Sequence, residues 1–323
     1  LIESRHETDR PEFSIVIPVY NEEESLPELV RRLGLLIEQL DGPAEVILVD
    51  DGSSDRSYEA MVAAHEADSR FKVVRLSRNF GHEMATTAGV DFAAGNAVII
   101  MDADLQDPPE VVLDMAARWR EGFDVIYGIR QDRPGETRIK RATSRAFYRL
   151  LRRVSDVEVP LDAGDFRLVD RRAVDAFRAM REKNRYVRGM FGWIGFRQMG
   201  VKFQREERFA GDTKYPLTKL VKLATDGIVS FSAAPLRLAL NLGFIFSGIS
   251  FFLGTLAFFL KLAGLYYITG LASIAVFVGF LGGIQLLVLG LMGEYIARIH
   301  DEVKDRPLYL VRDLHGSFQR DGA

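Results

Sequence analysis

Two long apolar stretches without a charge constrain this chain more than any other feature. Between Arg237 and Lys261 it reads LALNLGFIFSGISFFLGTLAFFL, and from Leu262 to Gly293 it reads LAGLYYITGLASIAVFVGFLGGIQLLVLGLMG. A helix that crosses hydrocarbon needs about 20 apolar residues, and both runs supply them. Core helices of soluble domains seldom stay uncharged for that length. The pattern therefore predicts two transmembrane helices joined by a tight hairpin near KLAGLYYITG. Lys214, Lys219, Lys222 and Arg237 precede the first span, and Arg298, Lys304, Arg306 and Arg312 follow the second. Only Lys261 lies near the hairpin, so the positive-inside rule puts both termini in the cytoplasm. The opening LIESRHETDRPEF is polar and holds no signal-peptide core.

Ahead of the apolar runs, the first ~125 residues alternate strand-like and helix-like segments, the pattern of a doubly wound α/β domain. FSIVIPV, AEVILVD, FKVVRLS, AVIIMD and FDVIYG read as strands. Helices are expected in NEEESLPELVRRLGLLIEQL, in DRSYEAMVAAHEAD, around HEMATTAGVDFAAG and after DPPEVV, where the prolines suit a helix start. From Ile129 to Arg153 the chain turns strongly basic, which fits either a solvated face or attraction to anionic headgroups. A further α/β stretch runs from DFRLVDRRAVDAFRAM to FRQMGVKFQREERF. YPLTKLVKLATDGIVSFSAAPLRL then reads as an interfacial helix lying on the bilayer. The expected organisation is a tail over 1–12, a catalytic domain over 13–212, an interfacial region over 213–236, a transmembrane hairpin over 237–297 and a cytoplasmic segment over 298–323. A formal charge of −3 gives no sign of a nucleic-acid binder, and the absence of cysteine excludes disulfides, thiolate metal sites and cysteine nucleophiles.

The chemistry concentrates at strand ends. In open α/β sheets ligands bind beyond the carboxyl ends of the strands. Here the first strand ends in PVYNEEE, the second in VDDGSSD and the fourth in MDADLQD. Any one of these could be turn chemistry, since Asp, Asn, Ser and Gly favour turns. Three on one sheet edge point to a site. Asp102 and Asp104, one residue apart, suit a divalent cation, because Mg²⁺ and Mn²⁺ prefer carboxylate oxygens and Mg²⁺ takes one or two of them plus phosphates and water. Such a cation neutralises a diphosphate leaving group. There is no G-x-x-x-x-G-K-[ST] loop and no G-x-G-x-x-G after the first strand, which argues against an ATPase and a dinucleotide oxidoreductase.

Taken together, IVIPVYNEEESL, VDDGSSD, RNFGHEMATTAG, MDADLQDPPE, GDFRLVDR, RFAGDTKYPL and GEYIARIHDEVKDRP resemble the polyisoprenyl-phosphate glycosyltransferases. These are inverting GT-A enzymes of family 2, related to dolichol-phosphate mannose synthase and to bacterial lipid-linked glucosyltransferases of the GtrB type. The blocks cover nearly the whole chain. The resemblance implies a GT-A (Rossmann-like) nucleotide-sugar domain, a Mg²⁺ or Mn²⁺ cofactor, a nucleotide-sugar donor and a polyprenyl phosphate acceptor. It places Pro18, Tyr20, Glu22, Asp50 and Asp51 in the nucleoside pocket and Asp102, Asp104 and Gln106 at the metal and diphosphate. Arg130 falls near the phosphates, while Arg208 and Lys214 form a basic pair that holds phosphate. Asp212 and Thr213 depart from a block in which Ser more often precedes the lysine. Arg78, Asn79 and His82 fall on the donor side without an assigned role.

The implied reaction is inverting sugar transfer from a nucleotide diphosphate sugar to the lipid phosphate. Asp165 matches the residue the family offers as base, with Asp162 a weaker candidate. A phosphate monoester has its second pKa near ~6 and needs no base at neutral pH, so Asp165 is also read as orienting the acceptor. UDP-glucose is the expected donor from the two-span resemblance; GDP-mannose, UDP-galactose and an amino sugar stay open. A processive polysaccharide synthase would carry a Q-x-x-R-W motif, which is absent, with Trp119 and Trp193 in other contexts. A non-catalytic sugar-nucleotide scaffold would show an eroded D-x-D, and here it is intact. Glycines in the spans (Gly243, Gly248, Gly254, Gly279, Gly282, Gly283) permit close helix contacts, consistent with a homo-oligomer.

Overall fold

A run such as Phe13–Val19, apolar except for Ser14, has no polar face to turn to water, so it belongs inside a sheet covered on both sides. In the computed structural model, which describes residues 10–130, 163–206, 234–264 and 271–318, that run is β1, and all seven of its residues are buried. β2 (Ala44–Asp50) is buried throughout as well. β1 pairs in parallel with β2, from Phe13↔Ala44 to Val19↔Asp50, and β2 pairs with β3 (Phe71–Leu76). On its other side β1 pairs in parallel with β4 (Ala97–Ile100). β5 (Val125–Arg130), β6 (Ala163–Asp170), β7 (Gln198–Phe203) and β8 (Val311–His315) complete a sheet ordered β7-β5-β6-β4-β1-β2-β3-β8.

Helices cover both faces. α1 (Leu26–Gln39), α2 (Ser57–Ala67) and α4 (Val111–Arg120) bury Leu29, Met61 and Val112 in one core layer. α3 (His82–Phe92), α5 (Arg171–Ala179) and α6 (Val187–Ile194) bury Ala88, Phe177 and Met190 in the other. α1 shows the logic: Leu26, Leu29, Leu33, Leu36 and Ile37 are buried at helical spacing. Each such side chain contributes roughly 1.5–3 kcal/mol by leaving water. The helix starts later than the sequence pattern suggests, at Leu26 with Pro27 in its first turn, because residues 21–25 are drawn into a loop.

Two strands break the parallel pattern. β6 runs antiparallel between β4 and β5. β8 runs antiparallel along the outer edge of β3, although it comes from the segment expected to be a simple cytoplasmic tail. Ser77 N–H donates to the Leu310 carbonyl at 2.8 Å, Tyr309 donates to Asp91 at 2.8 Å, and the Tyr58 hydroxyl meets His315 Nε2 at 2.8 Å. The chain after the second long helix is thus sewn back onto the catalytic sheet.

α7 (Ala234–Leu262) and α8 (Leu271–Val303) contain the two apolar runs. Over Ala239–Leu262 and Phe277–Val303 they are long and apolar enough to cross a bilayer, with mean hydropathy 2.0 and 1.7. Phe244, Phe251, Phe252, Leu286 and Leu287 point outward and exposed, a surface suited to lipid. α8 continues past the uncharged run, which ends at Gly293, to Val303. Among the described residues, a Cβ added at any of the six span glycines named above meets nothing within 4 Å. The hairpin residues 265–270, the basic stretch 131–153 and nearly all of the interfacial region 213–236 lie outside the described residues.

Candidate active site

The strand order reverses direction at β1, with β2 and β3 to one side and β4 to the other. Such a switch point opens a crevice at the carboxyl ends. Pro18 sharpens it. The β1–β4 ladder ends at Val16↔Ile100, followed only by Met101 N–H donating to the Val16 carbonyl at 3.1 Å. Pro18 has no N–H with which to extend it, so the two strand ends part.

On the β1/β2 side the loops lock into each other. Asn21 sits at φ 55°, a left-handed conformation that Asn tolerates. Its N–H donates to Ser53 Oγ at 3.1 Å and its Oδ1 accepts from Ser54 N–H at 2.8 Å. Glu22 N–H donates to Ser57 Oγ at 2.8 Å, and the Glu22 carboxylate accepts the Ser25 hydroxyl at 2.9 Å. Asp50 is fully buried, accepts Ser53 N–H at 2.9 Å and lies 3.3 Å from the Arg75 guanidinium. Asp51 accepts the Phe80 and Gly81 N–H groups at 2.7 and 2.9 Å. Burial pushes the Asp51 carboxyl up, with the two N–H donors pulling it back. Gly52, at φ 72°, has the Arg78–Asn79 peptide where a Cβ would stand, 2.6 Å away. Pro18, Tyr20, Glu22, Asp50 and Asp51 are thus gathered at adjoining strand ends. Tyr20 is the exposed member of the set, at 49 %, and its ring is available as a wall for a flat ligand.

Acids dominate beyond β4. Leu105 is held at φ 59° with its side chain buried, a backbone state that costs a branched residue about 1–3 kcal/mol. That turn folds Gln106 N–H back onto Asp104 Oδ1 at 3.1 Å. Burial pushes the Asp102 carboxyl up to about 6; His82, whose Nε2 lies 3.6 Å away, opposes this, while Asp165, Asp107 and Asp104 add to it. Asp107 is fully buried, and burial raises its carboxyl too. Among the described residues, its one hydrogen bond is from Arg130 at 3.4 Å, and Oδ1 has no partner. So much negative charge crowded together fits a divalent cation. Among the described residues no three His, Cys, Asp or Glu side chains converge on a metal by themselves. Asp102 and Asp104, with the Gln106 amide, suit an ion that completes its shell with phosphate and water, as Mg²⁺ does.

Asp165, on β6, is gripped from α6. Arg188 donates to both of its oxygens, at 2.7 and 2.5 Å. Burial would raise this carboxyl, yet the Arg188 hydrogen bonds and charge hold it well below the usual carboxylate range. Arg167, pushed down to about 10 by burial, donates to the carbonyls of Gly164 and Asp165 at 2.9 and 3.2 Å and stacks over Phe191. Glu83, on the first turn of α3, accepts Val187 N–H at 3.3 Å at the start of α6. Burial, then Asp165, pushes Glu83 up to about 7. Sequence reasoning missed Arg188, Glu83 and Arg205. The first two lie in YVRGMF and RNFGHE, where nothing but the fold brings them to Asp165. Arg208, Lys214 and Asp162 lie outside the described residues.

Residues 14–178 match the model of glycosyl transferase family 2. Over 305 residues the chain is 48 % identical to the uncharacterized glycosyltransferase YkcC of Bacillus subtilis, covering 94 % of each protein. The chain belongs to glycosyltransferase family 2. It is also 37 % identical over 302 residues to a prophage-derived bactoprenol glucosyl transferase of Shigella flexneri, covering 94 % of this chain and 98 % of that one. Among solved structures, glucosyl-3-phosphoglycerate synthase from Mycobacterium tuberculosis with Mn²⁺, UDP and phosphoglyceric acid superposes with a TM-score of 0.48 at 18 % identity, over 68 % of this chain and 76 % of that one. The mixed α/β Rossmann-like sheet is the fold of this family 2 glycosyltransferase, and two helices long and apolar enough to cross a membrane follow it.

Proposed function

We propose that this family 2 enzyme transfers glucose from UDP-glucose to the phosphate of a polyprenyl lipid at a membrane surface. The observation that carries the reading is the acid pair Asp102 and Asp104, one residue apart at the carboxyl end of β4 beside the sheet's switch point, in a chain alignable over almost its whole length with bactoprenol glucosyl transferases. In the reaction an acceptor phosphate oxygen bonds to the anomeric carbon as the bond from that carbon to the diphosphate breaks. The centre inverts and UDP leaves. Asp102, Asp104 and Gln106 would hold Mg²⁺ or Mn²⁺, which would neutralise the departing diphosphate. Tyr20 and Pro18 wall the nucleoside, with Glu22, Asp50 and Asp51 shaping the loop around it. Arg208 and Lys214 draw in the anionic acceptor.

Asp165 is assigned to orientation rather than proton abstraction. A carboxylate bound at both oxygens by Arg188 is a weak proton acceptor, and the acceptor phosphate is already an oxyanion at neutral pH. The domain division drawn from the sequence supports this reading. α7 and α8 anchor the enzyme as a multi-pass protein of the bacterial inner membrane, and the basic residues flanking them favour a catalytic domain and both termini on the cytoplasmic side.

The test is transfer of radiolabelled glucose into the organic phase by the full chain, with and without added polyprenyl phosphate. Label should enter the lipid, stop with EDTA, return with Mn²⁺ or Mg²⁺, and fall about a thousandfold in Asp104→Ala, as several kcal/mol of charge stabilisation implies. Labelled GDP-mannose in place of UDP-glucose should give no glycolipid; mannose transfer would replace the proposed donor. Metal-independent synthesis that survives Asp104→Ala would sink the reading.

A further inference from the structure

Arg205 carries none of the roles given so far, yet the fold fixes it beside the acid cluster. It stands two residues beyond β7, next to Glu206, whose N–H donates to the Gln106 carbonyl at 3.0 Å. The Glu206 carboxylate pairs with Arg32 at 2.8 Å, and Arg32 also holds Glu110 at 2.5 Å. The strand exit is therefore tied to the Gln106–Glu110 loop from two sides. In the β5–β7 ladder Arg130 pairs with Phe203, two residues before Arg205, so the two arginines leave neighbouring strands side by side. Burial and Arg130 lower the Arg205 guanidinium, while Asp107, Asp104 and Asp102 pull it up.

None of the donors in this group is satisfied in proportion. Among the described residues, Arg205 has neither hydrogen bond nor ion pair, and its Nε is buried without an acceptor. Arg130 makes a single long contact to Asp107, and its Nε is likewise buried and unpaired. A guanidinium carries five N–H donors in a planar fork, and burying such donors unmade is costly. The sequence also makes room for one of the two. Arg130 lies against Gly164, where a Cβ would stand 3.0 Å from Nη2 and 3.2 Å from Cζ. Gly164 immediately precedes Asp165 on β6.

We propose that Arg130 and Arg205 form a two-guanidinium receptor for a phosphate oxyanion, and that this oxyanion is the phosphate of the acceptor lipid. This rests on the polyprenyl phosphate reading above. Phosphate monoester oxygens match the guanidinium fork, which binds them in pairs. The acceptor is favoured over the donor because the receptor adjoins Gly164–Asp165 and Asp107. The diphosphate would be held through a divalent cation at Asp102 and Asp104. Arg205 also stands three residues before Arg208, in the basic block assigned to the acceptor.

The experiment uses the full chain in detergent-phospholipid micelles. In Arg205→Gln the KM for polyprenyl phosphate should rise roughly ten- to hundredfold, with UDP affinity changed by less than about twofold. Arg205→Lys should recover only part of this, since an ammonium lacks the fork. Gly164→Ala, which displaces the Arg130 guanidinium, should move the same constant in the same direction. A second readout needs no turnover: the thermal stabilisation given to the wild type by farnesyl phosphate should vanish in Arg205→Gln. An unchanged acceptor KM in a variant with wild-type melting overturns the proposal. A loss that falls on UDP affinity overturns it too, by moving the receptor to the donor. If the wild type makes no glycolipid, the functional reading fails, and the farnesyl phosphate shift alone then decides the receptor: its presence in the wild type and loss in the variant keep the assignment, its absence ends it.

Discussion

Along the ends of β1 and β2 the polar side chains are engaged by the protein itself, whereas along β4, β5 and β6 they largely are not. Asn21, Asp50 and Asp51 each hold backbone N–H groups of a neighbouring loop. Across the crevice, Asp107 Oδ1, Arg130 Nε and Arg205 Nε are buried without partners, and the carboxyls of Asp102 and Glu83 are pushed up to about 6 and about 7. On the first side folding ties the loops to one another, and Asp50 Oδ2, without a hydrogen bond among the described residues, lies 3.3 Å from the Arg75 guanidinium. The second is left with charge that folding alone does not balance, which is the condition of a surface completed by ions and phosphates. Polar groups of the same residue types do opposite work on the two sides, and the difference lies in who satisfies them.

Asp165 and Arg188 are the exception on the unfinished side, and breaking that pair has the largest expected effect of the three substitutions considered next. Asp165→Asn leaves Arg188 with a neutral partner. Unpairing a buried charge costs about 3–5 kcal/mol, and the Arg188 side chain is still 29 % exposed, so a loss of about 2–3 kcal/mol is expected. The sign follows from the depressed carboxyl. Its contribution is present at and above ordinary carboxylate pKa values and fades only in strong acid, so the gap between wild type and variant should stay constant from about pH 5 to pH 8. Turnover separates orientation from proton abstraction. An orienting role leaves the shape of the kcat–pH profile intact at reduced height. A profile that climbs steadily with pH in the variant would restore Asp165 as a base.

On the finished side the expected cost is steric. Gly89 of α3 rests directly on β1 and β2: a Cβ there would lie 2.2 Å from Val16 Cγ1 and 3.0 Å from Val49 Cγ2. Gly89→Ala should destabilise by about 1–3 kcal/mol, read as a lower melting temperature, with acceptor KM unchanged. If it altered acceptor affinity without altering stability, the two sides would not be separable in the way their hydrogen bonds suggest.

Much of the finished side was legible in the sequence, and the reason is local. FSIVIPV and AEVILVD are mostly apolar because both their faces are covered, and each is followed by Asp, Asn, Ser and Gly, residue types that mark a turn by themselves. The D-x-D at Asp102 and Asp104 was legible for the same reason. Arg188 and Asp165, 23 residues apart, meet only once α6 folds over β6, and nothing in YVRGMF marks that. β8 was missed because VRDLH is a half-exposed edge strand, with charges of the kind that keep edges from aggregating. Its partner β3 is fixed by the return of the chain from the membrane helices. Arg205 reads as one more basic residue near Arg208 until the anchoring of Glu206 places it.

The smallest effect expected is also the sharpest on the comparison. Glu83 belongs to the unfinished side, and its carboxyl binds its proton more tightly in the folded protein, near 7, than the ordinary value of 4.5 in an unfolded chain, because of burial first and Asp165 second. Between those two pH values the folded state holds more protons than the unfolded one. Stability must therefore decline as pH rises through that window and level off above it. Arg188 and His82 also face Glu83 and oppose the shift, and the carboxyl is only partly buried, so about 1–2 kcal/mol is the expected size. Glu83→Gln keeps an oxygen for the Val187 N–H and removes the titration. Melting curves of wild type and variant between pH 5 and pH 8 should converge at the acid end, with the variant the more stable at the alkaline end. Parallel curves would mean that Glu83 is compensated in the folded protein, and that charge left over by folding is confined to Asp102, Asp107 and the two arginines.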